Sequence, residues 1–481
     1  MTRPTVHDST LPASPGQSFA GRLGGVPSIL MVRLRQAVHN FADGLLFIPL
    51  VFVLGAIVVA QAMTAIDGRL DDAAIPTTLT TSVEGGRSIL SAIAGGLISS
   101  VTLLLSLVLV AVQLASSQFS PRTLRGWTSN RTQQIAIGLV LGTAVYCLLV
   151  LRETRTLADG LALAPHLSVL LAVTLGVLSL IAVLRSVDAL TNSLRIGSVA
   201  QSITDETVDA IHQRADRLLL QRPGQQVAVP PTAEYAASGP AEKALAIPAP
   251  RSGWVEQIDE DRLICAAPDG SVVRLIAPVG VFVMKDSPLA WVAPIPGDQG
   301  ARTRCLDRAA GAYAIGDERT LQTDIGYGIL QLTDIALRAL SPGVNDPNTA
   351  NDIIVNLGVV LLTIWEYPTE SSTREVDDRT LIRRLITHGE FLEQAFDPVR
   401  RHGADDASVV ATMLTTLATL RAEIQRRNLP GPIGPIDDTV DRVLATFHRS
   451  DPDPRDVEIV EELVAEFFGS TNADDNADSD A

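Results

Sequence analysis

The densest group of side chains that could do chemistry lies between residues 313 and 365. It combines three carboxylates, two guanidiniums and one amide, which belong to Arg319, Asp324, Asp334, Arg338, Asn345 and Asp346. Groups of this kind bind small polar ligands or ions when they converge on a cavity. They also pair with one another, and a buried network of Arg and Asp can hold two helices together. The residue types leave both alternatives open.

The pattern around these residues predicts two helices joined by a tight turn. Apolar residues recur at helical spacing over 329–339. The Ser-Pro-Gly sequence at 341–343 ends this helix, because proline cannot continue it and glycine permits a sharp turn. Asp346 before Pro347 is typical of a helix N-cap, so a second helix should run to about residue 365. The aspartate therefore has a structural explanation beside a role in ligand binding.

A second set of polar side chains lies within an apolar stretch, where small and hydroxyl-bearing residues recur at steps of three or four. Ser99, Thr102, Ser106 and Gln113 share one face of the predicted helix. Small residues of this kind commonly form a packing seam at which helices approach closely. The same face could instead line a water-filled path in an oligomeric pore. The spacing leaves the packing seam and the pore as alternatives.

Four stretches are apolar enough and nearly or fully long enough to cross a bilayer, which needs about 20 mostly apolar residues. They cover residues 45–63, 89–112, 135–151 and 167–184, and none of them contains Asp, Glu, Lys or Arg. The sequence therefore predicts a four-span transmembrane domain over 28–184. Ionisable residues within a membrane typically mark proton relays, so their absence disfavours a proton-coupled transporter.

The arginines that flank these stretches predict the orientation of the chain. The segments before the first span, between the second and third, and after the fourth carry four, three and at least two arginines. The two other loops carry two each. Because basic residues concentrate on the cytoplasmic side of a membrane, both termini and the loop around Trp127 are predicted to lie in the cytoplasm.

The cytoplasmic half is predicted to be an α+β module built from four consecutive parts. They are a helical extension at 185–222, a Pro- and Ala-rich linker at 223–250, a small β barrel or half-barrel at 251–296, and a helical domain at 297–468. Both ends of the chain, 1–27 and 469–481, are predicted to be disordered. The predicted fold class is thus membrane α-helical with a cytoplasmic α+β module.

Composition argues against several classes of protein. Hydrophobic residues make up 46% and charged residues 19% of the 481 residues, which is too apolar for a purely soluble or disordered protein. The net charge of −16 argues against a nucleic-acid partner, which requires a basic surface. The three cysteines are far apart, the seven histidines show no metal-ligand spacing, and no phosphate-binding or nucleophile motif occurs. We therefore predict no metal, no cofactor and no catalytic residue.

Three stretches resemble the family called domain of unknown function 2254, which comprises predicted bacterial membrane proteins. They are 107–127, 252–259 and 319–350, and the last contains the run RTLQTDIGYGILQLTDIALRALSPGVNDPNTA. The resemblance covers roughly residues 30 to 450. It implies a multi-pass protein of the bacterial inner membrane, and it implies no particular activity and no site residues.

Three functions fit these observations. The leading hypothesis is a channel-like or ligand-regulated homo-oligomeric membrane protein with a cytoplasmic regulatory module, because the hydroxyl-bearing face carries no charge. The second is a membrane-anchored sensor or scaffold whose cytoplasmic half binds a ligand or partner. The third is a membrane-bound enzyme whose catalytic groups assemble only in space. The expected partners are the lipid bilayer, further copies of the chain, and a small ligand or ion.

Overall fold

The computed structural model describes most of the chain, with gaps between the described segments. Described are residues 47–67, 82–118, 131–153, 166–193, 195–220, 244–321, 323–368 and 372–469. The disorder predicted at 1–27 and after Gly469 lies outside these residues, as does most of the linker predicted at 223–250. The chain divides into two compact units, Met1–Val110 with Arg125–Leu190 and Ala111–Leu124 with Thr191–Ala481.

Four apolar helices occur where the sequence predicts membrane spans. They are α1 (Phe47–Asp67), α2 (Val83–Gln118), α3 (Arg131–Glu153) and α4 (His166–Ser193). A helix satisfies its backbone hydrogen bonds internally, which is what allows an apolar segment to lie in hydrocarbon. Each helix overlaps one predicted stretch and is longer than it, so an apolar helix lies at each of the four predicted positions.

Two glycines allow α3 to pack closely against α1. Gly138 and Gly142 are four residues apart and therefore lie on one face of α3. A Cβ atom at Gly138 would lie 2.9 Å from a ring carbon of Phe52, and one at Gly142 would lie 3.0 Å from the Phe52 carbonyl oxygen. A larger residue would push the helices apart, and close contacts of this kind are a usual basis of helix association in membranes.

Polar groups tie the start of α4 to its neighbours in the N-terminal unit. The carboxylate of Asp67, the last residue of α1, accepts hydrogen bonds from the backbone N–H groups of Leu167 and Ser168 at 3.1 and 3.0 Å. It thereby satisfies donors that a helix N-terminus leaves open. The hydroxyl of Tyr146 on α3 donates to the carbonyl oxygen of Ser168 at 3.0 Å. These bonds join α1, α3 and α4 at one end of the unit.

The C-terminal unit contains a long helix, α5 (Ile196–Leu220), followed by an α+β region. The strands are β1 (Leu245–Pro248), β2 (Gly253–Ile258), β3 (Val272–Leu275), β4 (Phe282–Val283), β5 (Pro288–Ala293), β6 (Tyr313–Gly316), β7 (Thr373–Val376) and β8 (Arg379–Ile382). The further helices are α6 (Glu260–Ala266), α7 (Gln299–Ala310), α8 (Ile325–Ala339), α9 (Pro347–Trp365), α10 (His388–His402), α11 (Ala407–Arg427), α12 (Gly434–Arg449) and α13 (Pro454–Phe468).

The strands form two sheets and no closed barrel among the described residues, so the predicted small barrel is wrong. One sheet has five strands in the order β1-β5-β3-β8-β7, and the other has three in the order β4-β2-β6. The described residues contain no closed barrel, because β7 and β8 extend the larger sheet from a much later part of the chain. Strand β8 pairs in parallel with β3, and Val273 lies opposite Leu381.

The strands β6, β7 and β8 also correct the prediction of a purely helical domain at 297–468. Leu381 is fully buried in the larger sheet. A strand of four residues is too short to show the alternation of apolar and polar residues that identifies strands in a sequence. The apolar face predicted on α8 is confirmed, since Ile329, Leu332 and Ala336 are fully buried.

The number of helices that could cross a membrane also differs from the prediction. Six described helices qualify by length and composition rather than four, because α9 and α11 qualify as well. Both fall in the predicted helical domain, and residues such as Asp352 and Arg421 interrupt their apolar runs. They have the lowest hydropathy of the six. Four is therefore too small a count of candidate spans.

Candidate functional site

Asp324 begins α8 as its N-cap. Its Oδ1 accepts a hydrogen bond from the backbone N–H of Tyr327 at 3.1 Å, which satisfies a donor of the first helical turn. The hydroxyl of the preceding residue, Thr323, donates to the carbonyl oxygen of Glu256 on β2 at 2.5 Å. Together the cap and this bond place the start of α8 against the three-stranded sheet.

Arg319 forms an ion pair with Asp324 at this helix start. Its Nε and Nη2 atoms lie 2.8 and 2.6 Å from Oδ2 of Asp324. The guanidinium also lies over the rings of Trp254 and Tyr327, at 5.8 and 5.0 Å from the ring centroids. The two charged side chains are 19% and 6% exposed, so water screens their attraction less than it would at the surface.

The environment of Asp324 changes its acidity. Burial raises the pKa of this carboxyl, and the attraction of Arg319 with the hydrogen bond from Tyr327 offsets only part of the effect. A shifted pKa beside a cavity is a common mark of functional sites, and structural ion pairs produce it as well. Among the three aspartates singled out in the sequence, Asp324 is therefore the strongest candidate for a functional residue.

Gly280 makes room for the ion pair. Its φ of +85° lies in the left-handed region that favours glycine, and its N–H donates to the carbonyl oxygen of Val255 at 2.9 Å. A Cβ atom at this position would collide with Oδ2 of Asp324 and would lie 3.1 Å from Nη2 of Arg319. The Pro-Val-Gly turn at 278–280, between β3 and β4, is thus part of the site.

A cleft of about 480 Å³ opens beside Asp324. This volume lies within the range of small-molecule binding sites. The walls come from α5, the turn between β2 and α6, the starts of α8 and α10, the end of α9, and the turn that contains Val279. The apolar residues of these walls include Ile211, Ile258, Val279, Ile364 and Phe391. Arg214, Glu260 and His388 also line the cleft. The cleft therefore combines an apolar surface with more charged residues than a typical ligand pocket has.

Other ion pairs in the wall of the cleft join α6 to β7 and to the end of β8. Nη1 of Arg383 donates to both carboxylate oxygens of Glu260, at 2.6 and 2.8 Å. Nη2 of Arg374 lies 2.5 Å from an oxygen of Asp261. These charges largely neutralise one another, so the apolar side chains provide most of the surface available to a ligand.

His388 lies at the start of α10, at the edge of the cleft. Its ring is buried and packs edge-on against Trp365, with 4.6 Å between the ring centroids. Burial lowers the pKa of this histidine, and hydrogen bonds to the backbone of Tyr367 and Ile364 offset part of the shift. A neutral imidazole at pH 7 follows from this direction of the shift.

The turn between α8 and α9 uses Asn345 and Asp346 to begin a helix. Asn345 has a φ of +49° and donates its N–H to the carbonyl oxygen of Ser341 at 2.9 Å. Asp346 accepts hydrogen bonds from the backbone N–H and the hydroxyl of Thr349 at 3.1 and 2.6 Å. These bonds lower the pKa of Asp346. The predicted cap is confirmed, as is the helix that starts at Pro347.

The six polar residues singled out in the sequence do not form one site. Helix α8 has 15 residues, and a helix of that length spans about 22 Å, so Asp324 and Asp346 lie beyond its opposite ends. Asp334 is half-buried and Arg338 is exposed in the second half of this helix. Of the six, only Asp324 lines the cleft. Arg319 forms an ion pair with Asp324 but does not line the cleft itself.

The polar face predicted on α2 is exposed. Ser99, Thr102, Ser106 and Gln113 are all solvent-accessible in the described chain. The three hydroxyls donate to the carbonyl oxygens four residues earlier, at 3.1, 3.1 and 2.8 Å. Such bonds satisfy the hydroxyls without a partner from another helix. This face is therefore not a packing seam within the described part of the chain.

Helix α2 packs with its opposite face instead. Leu97, Val101 and Leu104 are buried there. A Cβ atom at Gly95 or Gly96, by contrast, would meet nothing within 4 Å. Gly95 and Gly96 of α2 thus make no close contact with another helix, whereas Gly138 and Gly142 of α3 allow α1 to approach closely.

Several residues of the cleft had no signal in the sequence. Glu260 pairs with Arg383 across 123 residues, and the pairing depends on how β3 and β8 align. Gln257 and Asp259 lie in the stretch 252–259 that carries the family resemblance, but nothing in their spacing indicates a cleft. Only a family-wide comparison could have singled them out.

Comparisons with known proteins agree with these apolar helices. An uncharacterized protein of Mycobacterium bovis is 28% identical over 345 residues, which cover 69% of this chain and 63% of the relative. An uncharacterized protein of Mycobacterium tuberculosis matches with the same identity and coverage, so the match spans less than two thirds of these relatives. No solved structure matches the chain. Residues 42–419 match the family DUF2254, described as predicted membrane protein, and the chain belongs to that family.

Proposed function

We propose that the chain is a channel-like, homo-oligomeric membrane protein in which α2 faces the other copies. The exposed polar face of α2 carries this proposal, because Ser99, Thr102 and Ser106 form a row of hydroxyls on an otherwise apolar helix. Such a row gains little from contact with lipid. Copies arranged around an axis would turn these rows toward a shared, water-filled path. The C-terminal unit would then regulate that path.

The proposal places α1 to α4 in the bacterial inner membrane and the C-terminal unit in the cytoplasm. These four helices are the most apolar of the six candidates. Helix α11 carries Arg421, which is 15% exposed and pairs with Asp437 of α12 at 3.1 Å. An ion pair between packed helices is typical of a water-soluble fold and argues against α11 as a span. The distribution of arginines in the sequence supports cytoplasmic termini.

Ion currents test the channel proposal. Purified protein in planar bilayers should pass ions, and Ser99→Leu or Ser106→Leu should reduce the current by narrowing and drying the path. Thr174→Leu is the matched control, because Thr174 on α4 is also exposed and bonds to its own helix at 2.9 Å. Absence of current from the wild-type protein, or equal effects of the three variants, would contradict the proposal.

Cross-linking tests the arrangement of copies independently of the current. A Cys265→Ser chain carrying Ser99→Cys should form disulfide-linked pairs in membranes, because the proposal brings the α2 helices of neighbouring copies together. The same chain carrying Thr174→Cys should not. Cys147 and Cys305 are buried and can stay in place. A monomeric protein without cross-links would count against the homo-oligomer.

A second function, a membrane-anchored sensor, is supported by the cleft beside Asp324. A volume of about 480 Å³ can hold a drug-sized molecule. Charged side chains of the cleft form ion pairs with one another, as Arg383 does with Glu260. Because these charges are already paired, the cleft favours an uncharged or weakly polar ligand.

A panel of small neutral metabolites tests the sensor function through thermal unfolding of the C-terminal unit. A ligand should raise the unfolding temperature of the wild-type chain and leave Val279→Trp unchanged, because Val279 lines the cleft and tryptophan would fill it. Val344→Trp is the control, because Val344 is exposed in the turn before α9. Equal shifts in all three chains would show that binding occurs elsewhere.

A further inference from the structure

An apolar tip on the three-stranded sheet belongs to neither the cleft nor α2. The tip comprises Val281, Phe282 and Met284, which are 41%, 50% and 71% exposed. Trp254 packs edge-on against Phe282 with 5.5 Å between the ring centroids, and Lys285 follows the tip. Aromatic and aliphatic side chains beside a lysine match the composition found where proteins meet the membrane–water interface.

The backbone holds the tip in place from both sides. Trp254 and Gly253 of β2 pair with Phe282 and Val283 of β4. The N–H of Asp286 donates to the carbonyl oxygen of Ala249 at 2.9 Å, and the N–H of Ser287 donates to that of Met284 at 3.1 Å. Pairing with β2 and these backbone bonds therefore fix the backbone that carries the three exposed apolar side chains.

We propose that this tip docks into the interfacial layer of the bilayer that holds the apolar helices. Three side chains offer far less surface than the about 800 Å² per partner that a specific protein interface buries. A weak lipid contact suffices here, because the tip is covalently linked to the apolar helices and a second contact of the same chain with the bilayer is intramolecular. The proposal depends on the membrane location of the family. It does not depend on the proposed channel function or on the proposed ligand-binding function.

Spin labelling of the full chain in vesicles of phosphatidylcholine and phosphatidylglycerol tests the docking. The starting chain carries Cys265→Ser, since Cys265 is exposed whereas Cys147 and Cys305 are buried. A nitroxide at Met284→Cys should collide more with oxygen, which concentrates in lipid, than with a water-soluble nickel chelate. A nitroxide at Val344→Cys serves as the control, because Val344 is comparably apolar and 52% exposed on a different turn.

A second substitution separates docking from a local fold effect. Adding Phe282→Glu to the Met284→Cys chain should reverse the oxygen preference, while the far-ultraviolet circular dichroism of the chain stays unchanged. A label at 284 that meets the nickel chelate as freely as the control would overturn the proposal. So would spectral broadening between labels on neighbouring copies, which would mean that a second chain covers the tip, or an oxygen preference that survives Phe282→Glu.

Discussion

Asp324 and Asp346 begin two consecutive helices in the same way. Each carboxylate accepts the backbone N–H of the residue three positions later, at 3.1 Å in both cases. Asp324 also faces Arg319 across a largely buried ion pair, whereas Asp346 has a hydroxyl partner, Thr349, in an accessible turn. The local geometry is shared, and the surroundings are not.

The difference in surroundings reverses the effect on acidity. Burial raises the pKa of Asp324 despite its arginine, and hydrogen bonds lower the pKa of Asp346. Of these two aspartates, only Asp324, whose pKa is raised, lines the cleft. A capping motif in a sequence therefore identifies where a helix starts, and its tertiary environment decides whether the same carboxylate is also part of a site.

Removing the partner of Asp324 should have the largest effect. Arg319→Ala leaves a buried carboxylate without its counter-ion, a change that typically costs about 3–5 kcal/mol. We expect the lower end of that range, because Arg319 is 19% exposed. Denaturant unfolding of the detergent-solubilised chain, followed through Trp254, Trp291 and Trp365, measures the free energy of unfolding of this unit.

Arg319→Lys provides the control for that measurement. It keeps the charge and loses the planar contacts with Trp254 and Tyr327, so it should recover part of the lost stability. A loss below about 1 kcal/mol for Arg319→Ala, the typical value for an exposed ion pair, would remove the distinction between the two aspartates.

Filling the space beside the ion pair should have the second largest effect. Gly280→Ala places a methyl group against Asp324 at a positive φ, and strain of this kind costs about 1–3 kcal/mol. Gly343→Ala near Asp346 meets nothing within 4 Å and should change the free energy of unfolding by less than about 0.5 kcal/mol. Equal losses in the same unfolding assay would contradict the close fit at Gly280.

Removing the exposed cap should have a smaller effect. Asp346→Ala loses the two hydrogen bonds to Thr349 and should cost about 1 kcal/mol, the usual value of an N-cap. Asp346→Asn retains a capping oxygen and should cost less. If Asp346→Ala destabilised the unit as much as Arg319→Ala, the turn before α9 would carry more than a cap.

The pH dependence of stability should show the smallest effect, with opposite signs at the two sites. The pKa of Asp346 is lowered, so its contribution is present above the ordinary value of about 3.9 and is lost as the pH falls through the lowered pKa. The pKa of Asp324 is raised, so ionising it weakens the fold as the pH rises from about 3.9 through the raised value.

Unfolding of the wild type, Asp324→Asn and Asp346→Asn at several pH values between about 3 and 7 measures both contributions. Relative to its Asn variant, the wild type should lose stability with rising pH at position 324 and gain it at position 346. Slopes of the same sign would show that burial does not control the acidity of Asp324.

Much of the local structure followed from residue type and spacing. The four uncharged apolar stretches became helices, and Asp346 with Pro347 began α9. The strands β7 and β8 did not follow, because four residues are too few to show a period. Their stability comes from pairing of β8 with β3 and of β7 with β8. The candidate site was predicted only in part: the sequence singled out Asp324, but it did not indicate the cleft that Asp324 lines.

The sequence by itself determined which segments are long, apolar helices and where the caps lie, because these depend on neighbouring residues along the chain. Tertiary structure alone decided that Gly138 and Gly142 of α3 pack against α1, whereas Gly95 and Gly96 of α2 contact no other helix. It also decided that Glu260 meets Arg383 and that the carboxyl of Asp324 is buried. Burial and electrostatic pairing depend on segments far away in the chain, and no local pattern records their approach.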